Sequence, residues 1–232
     1  VSPAVLTQPG AITRHHPLGT STGALVEQRG DWAALVEEAQ RTSTFAVELA
    51  ALSADELPDL VHFLSAAPAL PFRFISLHAP SKGRRLRETQ LVAMLLEIVR
   101  SIDAIVVHPD TIDDPERYAP LGSALVLENM DARKADGRTA SELAPYFAAL
   151  PQAGLCFDIA HAASVDETLG EGRSLLDRFG ARLRHVHVSS LDDDCHHVTL
   201  TAADEERFAP LLRRCRDVPW ILEAPRREGR ED

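Results

Sequence analysis

Lysine is nearly absent from this chain: of its 24 basic residues only Lys82 and Lys134 are lysines. Neither sits in an apolar strand-like run, so Schiff-base catalysis, which needs a desolvated amine, is disfavoured. Cysteine is scarce too. Cys156, Cys195 and Cys215 are odd in number and have no C-x-x-C spacing, which argues against a disulfide framework or a zinc knuckle and fits a reducing compartment. No stretch of about 18 apolar residues is present, so no membrane span is expected. The N-terminal stretch lacks a basic region followed by an apolar one, so no secretion signal is read and the expected location is cytoplasmic. Positive charge is in deficit as well. With 35 acidic against 24 basic residues the net charge is −11, and without clustered Lys and Arg a broad grip on nucleic acid is not expected.

What the sequence does contain is a repeat of strand-length apolar runs and helix-length amphipathic ones. The strand candidates are Gly19–Leu25, Phe45–Leu49, Phe74–His78, Ala104–His108, Ala124–Glu128, Leu155–Asp158, Leu183–Val188 and Trp220–Glu223. Between them Asp31–Gln40, Ala54–Ala66, Arg87–Ile102, Ala140–Leu150, Leu169–Phe179 and Ala202–Cys215 have helical spacing. Ser53 with Glu56, Thr139 with Glu142 and, more loosely, Thr201 with Asp204 form capping-box starts. The link between the fourth and fifth strands leaves room only for a short helix. Eight buried strands with right-handed crossovers close most naturally into a compact (β/α)8 TIM barrel, because an open sheet would leave two edges to protect. An open doubly wound sheet is the alternative, but no G-x-G-x-x-G turn follows the first strand. One domain over residues 1–232 is expected, with 1–13 as a disordered or capping segment. The nine residues after Glu223 are too few for a full helix, so the eighth is expected to be short or missing. That side of the barrel would be covered by residues 1–13 or by a partner subunit in a homo-oligomer.

Several strands end alike, with an apolar run delivering one side chain able to bind metal: Ile75-Ser-Leu-His78, Ile105-Val-Val-His108, Leu125-Val-Leu-Glu128, Leu155-Cys-Phe-Asp158 and Trp220-Ile-Leu-Glu223, with His187 inside the seventh strand. A single histidine at a strand end is more often a hydrogen-bonded structural residue. Six such groups at corresponding places need a common explanation. In a barrel they converge at the C-terminal mouth, where three carboxylates and three imidazoles with hardly any lysine or arginine would call for a divalent cation. Two clusters extend the set. Asp158-Ile-Ala-His161 adds an imidazole one turn past the sixth strand, and Asp194-Cys-His196-His197 follows the seventh; the second reads equally as a solvated acidic loop or as ligands. Glu48 on the second strand is either a supporting or substrate contact or half of a salt bridge across the barrel. His15, His16, His62 and His185 have no comparable context.

The motifs Ser76-Leu-His78-Ala-Pro, Val106-Val-His108-Pro, Leu127-Glu128-Asn, Phe157-Asp158-Ile-Ala-His161 and Leu222-Glu223-Ala-Pro resemble the xylose isomerase-like TIM-barrel superfamily, over nearly the whole chain from about Gly19 to Pro225. That superfamily includes sugar isomerases and epimerases and the AP endonucleases of the endonuclease IV type. The resemblance implies one divalent metal on Glu128, Asp158, His187 and Glu223 in the epimerase manner. In the endonuclease manner it implies up to three zinc ions, with His78, His108, His161, Asp194 and His196 added. There are departures. The endonuclease pattern continues after its Asp-x-His-His with a glycine turn, where this chain has Val198-Thr-Leu-Thr201, and xylose isomerase itself has Glu-x-Lys where this chain has Glu128-Asn-Met.

Two activities are therefore expected as alternatives. The first is a metal-dependent (Zn, Mn, Co, Fe or Mg) sugar or sugar-phosphate isomerase or epimerase, acting on a small polyhydroxylated carbonyl substrate through a metal-stabilised enediolate. Glu128 and Glu223 would be its catalytic proton shuttles and His161 would orient the substrate. The second is a multi-zinc phosphoester hydrolase, which explains the full ligand set better and the acidity and short loops worse. A non-catalytic binding barrel is a third reading, disfavoured by so complete a set of ligands. The first is preferred.

Overall fold

The computed structural model describes residues 16–25, 27–83 and 86–224. Its strands are β1 (Leu18–Ser21), β2 (Ala46–Ala50), β3 (Phe74–His78), β4 (Ala104–Val107), β5 (Leu125–Glu128), β6 (Gly154–Asp158), β7 (Leu183–Val188), β8 (Ser190–Leu191), β9 (His197–Val198) and β10 (Trp220–Leu222). Strands β1 to β7 lie side by side in chain order, and β10 pairs in parallel with both β7 and β1, closing an eight-stranded barrel. β8 and β9 form a separate antiparallel hairpin after β7. The helices are α1 (Trp32–Thr42), α2 (Leu57–Ser65), α3 (Glu88–Ile98), α4 (Ala140–Ala149), α5 (Ile159–Val165), α6 (Gly170–Phe179) and α7 (Ala202–Leu212). The expected TIM barrel is thus the observed fold. The N-terminal segment 1–13 and the short or missing eighth helix lie outside the described residues.

Each helix docks by an apolar stripe. Trp32, Leu35, Val36 and Ala39 of α1 recur at helical spacing and are all buried. The main core fills the layer between strands and helices, where each fully buried Leu or Val contributes about 1.5–3 kcal/mol. The barrel interior is different. A small apolar cluster of Ala104, Val106, Val126 and Cys156 sits there with Phe74, alongside buried Glu48, Ser76, His185 and His187. Strands β1 and β2 approach closely: a Cβ on Gly19 would lie 2.6 Å from the Ala46 carbonyl oxygen.

Local chemistry accounts for the departures from the sequence reading. The first strand stops at Ser21, whose hydroxyl accepts from Gly23 N at 3.2 Å and starts a 3-10 turn. Ser53 does not cap α2, which begins at Leu57 with Pro58 in its first turn. Half of the expected box remains, since Glu56 Oε2 accepts from Ser53 N at 3.3 Å, while Ser53 also bridges to Lys82 and Glu56 pairs with Arg29. Thr139 caps α4 as expected, but Glu142 turns to Arg138. The Thr201–Asp204 box is complete. The β4–β5 link contains only 3-10 turns, with Pro115, Pro120 and the left-handed Gly122 (φ 59°) opposing a regular α-helix. The short helix α5 was not expected; it starts directly at the end of β6.

Candidate metal centre at the barrel mouth

The parallel register brings the strand-end side chains together. Glu128 is the hub and is 1% exposed. Its Oε2 faces His78 Nε2 at 3.2 Å and His108 Nε2 at 3.1 Å, and its Oε1 faces His187 Nδ1 at 3.2 Å and His161 Nδ1 at 3.3 Å. His187 Nδ1 also lies 3.2 Å from Glu223 Oε2, while its Nε2 lies 3.1 Å from Glu48 Oε2. Asp158 caps α5 by accepting from His161 N at 2.7 Å, which explains why a helix begins there and why His161 faces back over the mouth. Asn129, whose role the sequence reading left unassigned, clamps the same corner: its side chain accepts from Asp158 N at 2.9 Å and donates to Asp158 O at 2.8 Å.

Backbone carbonyls fix two of the tautomers. His78 Nδ1 donates to Ala79 O and His161 Nδ1 to Asn129 O, each at 2.9 Å, so in the neutral form of each ring the lone pair is on Nε2. This arrangement orients imidazoles for metal binding. Electrostatics favours the anionic form of the two glutamates and opposes the ligating form of Asp158 and His78. Burial opposes ionisation of Glu128, but His187 and His108 more than offset it and hold the carboxyl well below its usual range. Burial likewise opposes ionisation of Glu223, yet His187 and His197 draw it down to about 2. Burial wins at Asp158, raised to about 6. It loses at His78, where Glu128 raises the ring to about 9. His108 is lowered by burial.

Three donor groups of this kind share the mouth, each with ligand atoms within 4.8 Å of one another: Glu128, Asp158, His187 and Glu223; His78, His108 and Glu128; Asp158, His161 and His197. An eight-stranded parallel barrel carrying them on its strand ends matches the family described as xylose isomerase-like TIM barrel over residues 64–232. The chain belongs to that family.

Among solved structures, this xylose isomerase-like barrel is similar to 3-keto-D-glucoside 4-epimerase YcjR from E. coli (13% identity, 92% of this chain and 94% of that one, TM-score 0.59). It is also similar to an AP endonuclease of family 2 from Brucella melitensis (12% identity, 92% and 94%, TM-score 0.54), and to an IolI protein with a bound zinc atom (12% identity, 91% and 90%, TM-score 0.58). At these identities the likeness is one of fold. No curated protein sequence matches the chain.

The residues present fit a divalent cation. Asp158 Oδ2 and Glu223 Oε2 are buried with no hydrogen-bond partner among the described residues. The single proton that His187 Nδ1 can carry cannot serve both Glu128 and Glu223, and His161 Nδ1 is already committed to Asn129 O. Two unsatisfied buried carboxylate oxygens carry a large desolvation cost that a cation removes.

Not every expected residue joins. Asp194 and His196 lie in the exposed loop of the β8–β9 hairpin, and the His196 side chain is 72% exposed and turned toward Asp192. It is His197 that faces the mouth, 3.7 Å from Glu223 Oε2 and held by Ser189 Oγ at 2.7 Å. His185, given no context by sequence, and Glu48 both lie inside the barrel. Their signal was available in part: His185 and His187 are two apart on one strand and so share a face. Between the loops after β3 and β4 is a cavity of about 270 Å³, lined in part by Pro80, Lys82, Thr111 and Arg117. Among the described residues no helix is long and apolar enough to cross a membrane.

Proposed function

We propose that this chain is a divalent-metal-dependent isomerase or epimerase acting on a small polyhydroxylated carbonyl compound. The observation that carries the reading is the convergence of Glu128, Asp158, His187 and Glu223 with two buried carboxylate oxygens left unsatisfied. The fold-level likeness to a sugar epimerase and to a zinc-holding barrel supports it. A cation on those four residues supplies electrophilic polarisation of a substrate oxygen. Glu128, at the end of β5, and Glu223, just past β10, reach the site from different sides of the barrel. Both are held ionised, so one takes a proton at a carboxylate oxygen from the carbon beside the carbonyl, and the other returns one from the opposite face. His161 Nε2, left bare by the bond from Nδ1 to Asn129 O, orients a substrate hydroxyl. The surrounding burial keeps bulk water from the reacting carbon.

A second reading, multi-metal phosphoester hydrolysis, is favoured by one observation: Glu128 and Asp158 each belong to two of the three mouth groups, as bridging ligands would. The net charge of −11 disfavours DNA as its substrate. Metal-dependent exchange of solvent deuterium into a ketose or aldose, followed by NMR and abolished by chelation, is the expected result. Cleavage of an abasic-site duplex or a phosphodiester without any such exchange would overturn the isomerase reading.

A further inference from the structure

Beneath the mouth, the barrel interior contains a second cluster, of which only His187 takes part in the proposed reaction. Barrels of this kind are filled by layers of branched apolar side chains. Here Glu48, Ser76, Cys156, His185 and His187 take part of that space, all 0% exposed. Neither ring nitrogen of His185 has a hydrogen-bond partner, and Glu48 Oε1 has none. Glu48 Oε2 lies 3.5 Å from His185 Nε2, too long for a good hydrogen bond, and 3.1 Å from His187 Nε2. Cys156, His185 and His187 each offer a ligand atom within 4.8 Å of the others.

The arrangement is set by the strands. The β6–β7 register shifts between Leu155 and Cys156, so that Cys156 pairs with His185 and Asp158 with His187. An unshifted ladder continuing from Leu155 and Leu183 would have set Arg184 opposite Cys156. The shift therefore places a thiol beside two imidazoles on the inner face. A buried imidazole with both nitrogens idle and a carboxylate with an idle oxygen are each costly.

We propose that Cys156, His185, His187 and Glu48 hold a thiophilic divalent cation, of which zinc is the type, in the barrel core below the mouth. Thiolate, imidazole and carboxylate are each zinc ligands, and four of them suit its tetrahedral coordination. Charge balances: on binding, the Cys156 thiol loses its proton to solvent, and the thiolate and the Glu48 carboxylate together offset the two positive charges. His187 offers Nε2 to this ion and Nδ1 to the mouth; with both filled it would give up its last ring proton to solvent and bridge as an imidazolate whose negative charge the two ions share, so one imidazole links the two sites. Closed in by the strands, the ion would enter as the barrel forms and resist later removal.

Cobalt(II) distinguishes this site from the mouth, because the mouth groups contain no sulfur. The full chain is produced in cobalt-supplemented, zinc-depleted medium and treated with chelator. Retained cobalt with a near-ultraviolet thiolate-to-cobalt charge-transfer band is expected. The band should vanish in Cys156→Ser, and persist in the Cys195→Ser/Cys215→Ser double variant, which leaves Cys156 as the remaining thiol. It should also persist in Glu223→Gln even where turnover is lost, so that failure of the mouth reading and failure of this one are told apart. Retained cobalt without the band, no retained cobalt, or a band that survives Cys156→Ser would each overturn the proposal. If Cys156→Ser does not fold, the spectra of the wild type and the double variant still decide it.

Discussion

His78 Nε2 and His108 Nε2 lie 3.0 Å apart, and both lie within 3.2 Å of Glu128 Oε2. His78 donates its Nδ1 proton to a backbone carbonyl, so at neutral charge its Nε2 is a lone pair directed at a second ring nitrogen. The pair belongs to the mouth but not to the four-residue group that carries the isomerase reading. His78→Ala is therefore expected to lower deuterium exchange by less than about tenfold, well below the 10²–10⁴ range of a lost proton-transfer group. Rates of exchange at saturating Mn²⁺ or Co²⁺ check this. A larger loss, with one metal ion fewer per chain, would shift support to the multi-metal reading.

Glu128→Gln and Glu223→Gln keep side-chain size but remove the base. Each is expected to reduce exchange by about 10²-fold or more. Steady-state kinetics at saturating cation are the measurement, and near-normal turnover in either variant removes that residue from proton transfer.

Asp158→Asn retains an oxygen that can still accept from His161 N and cap α5, but loses the anionic oxygen that has no partner. The metal-free variant should unfold within a few degrees of the metal-free parent. Added cation should raise Tm for the parent, since binding to the folded state alone stabilises it, and do so far less for the variant. Thermal scans with and without metal test the difference.

The Thr201–Asp204 box gives a prediction away from the site. Asp204 Oδ2 accepts from Thr201 N at 3.1 Å, Thr201 Oγ1 at 2.7 Å and Ser190 Oγ at 2.8 Å. Burial opposes its ionisation, but these bonds prevail and lower its pKa. The stabilisation is thus fully present above the unfolded-state aspartate pKa and is lost as pH falls through the lower folded-state value. Thr201→Ala should cost about 1 kcal/mol near neutral pH, and the gap from the parent should narrow in acid. Denaturant melts at several pH values measure it.

Gly19→Ala would force a Cβ to within 2.6 Å of the Ala46 carbonyl oxygen at the β1–β2 seam. Since β1 also closes the barrel against β10, a marked fall in Tm is expected by calorimetry, with no comparable fall for alanine at Gly180, where a Cβ meets nothing within 4 Å.

Much of this was legible in the chain. Runs such as Ile105-Val-Val-His108 and Leu155-Cys-Phe-Asp158 state both that a strand is buried and where it stops, because an ionisable group at the end of an apolar run needs a partner or an edge. That pattern led to the barrel and to Glu128, Asp158, His187 and Glu223 at one mouth. Helix α5 is not legible in the chain, because an aspartate that caps a helix and one that ends a strand read alike.

Burial and periodicity are local properties, so the eight-strand repeat and the polar residue at the end of most strands are written in the chain. Which histidines work together depends on contacts made in the folded barrel. His197 rather than His196 turns to the mouth because Cys195 adopts a left-handed backbone (φ 56°) and Asp192 accepts from the Asp194 and His196 amides, fixing the hairpin turn. His185 and Glu48 meet because a register shift and the closing of the sheet bring β2 and β7 across the barrel to each other, from positions 137 residues apart in the chain. Spacing along a chain carries no record of contacts made across a closed barrel.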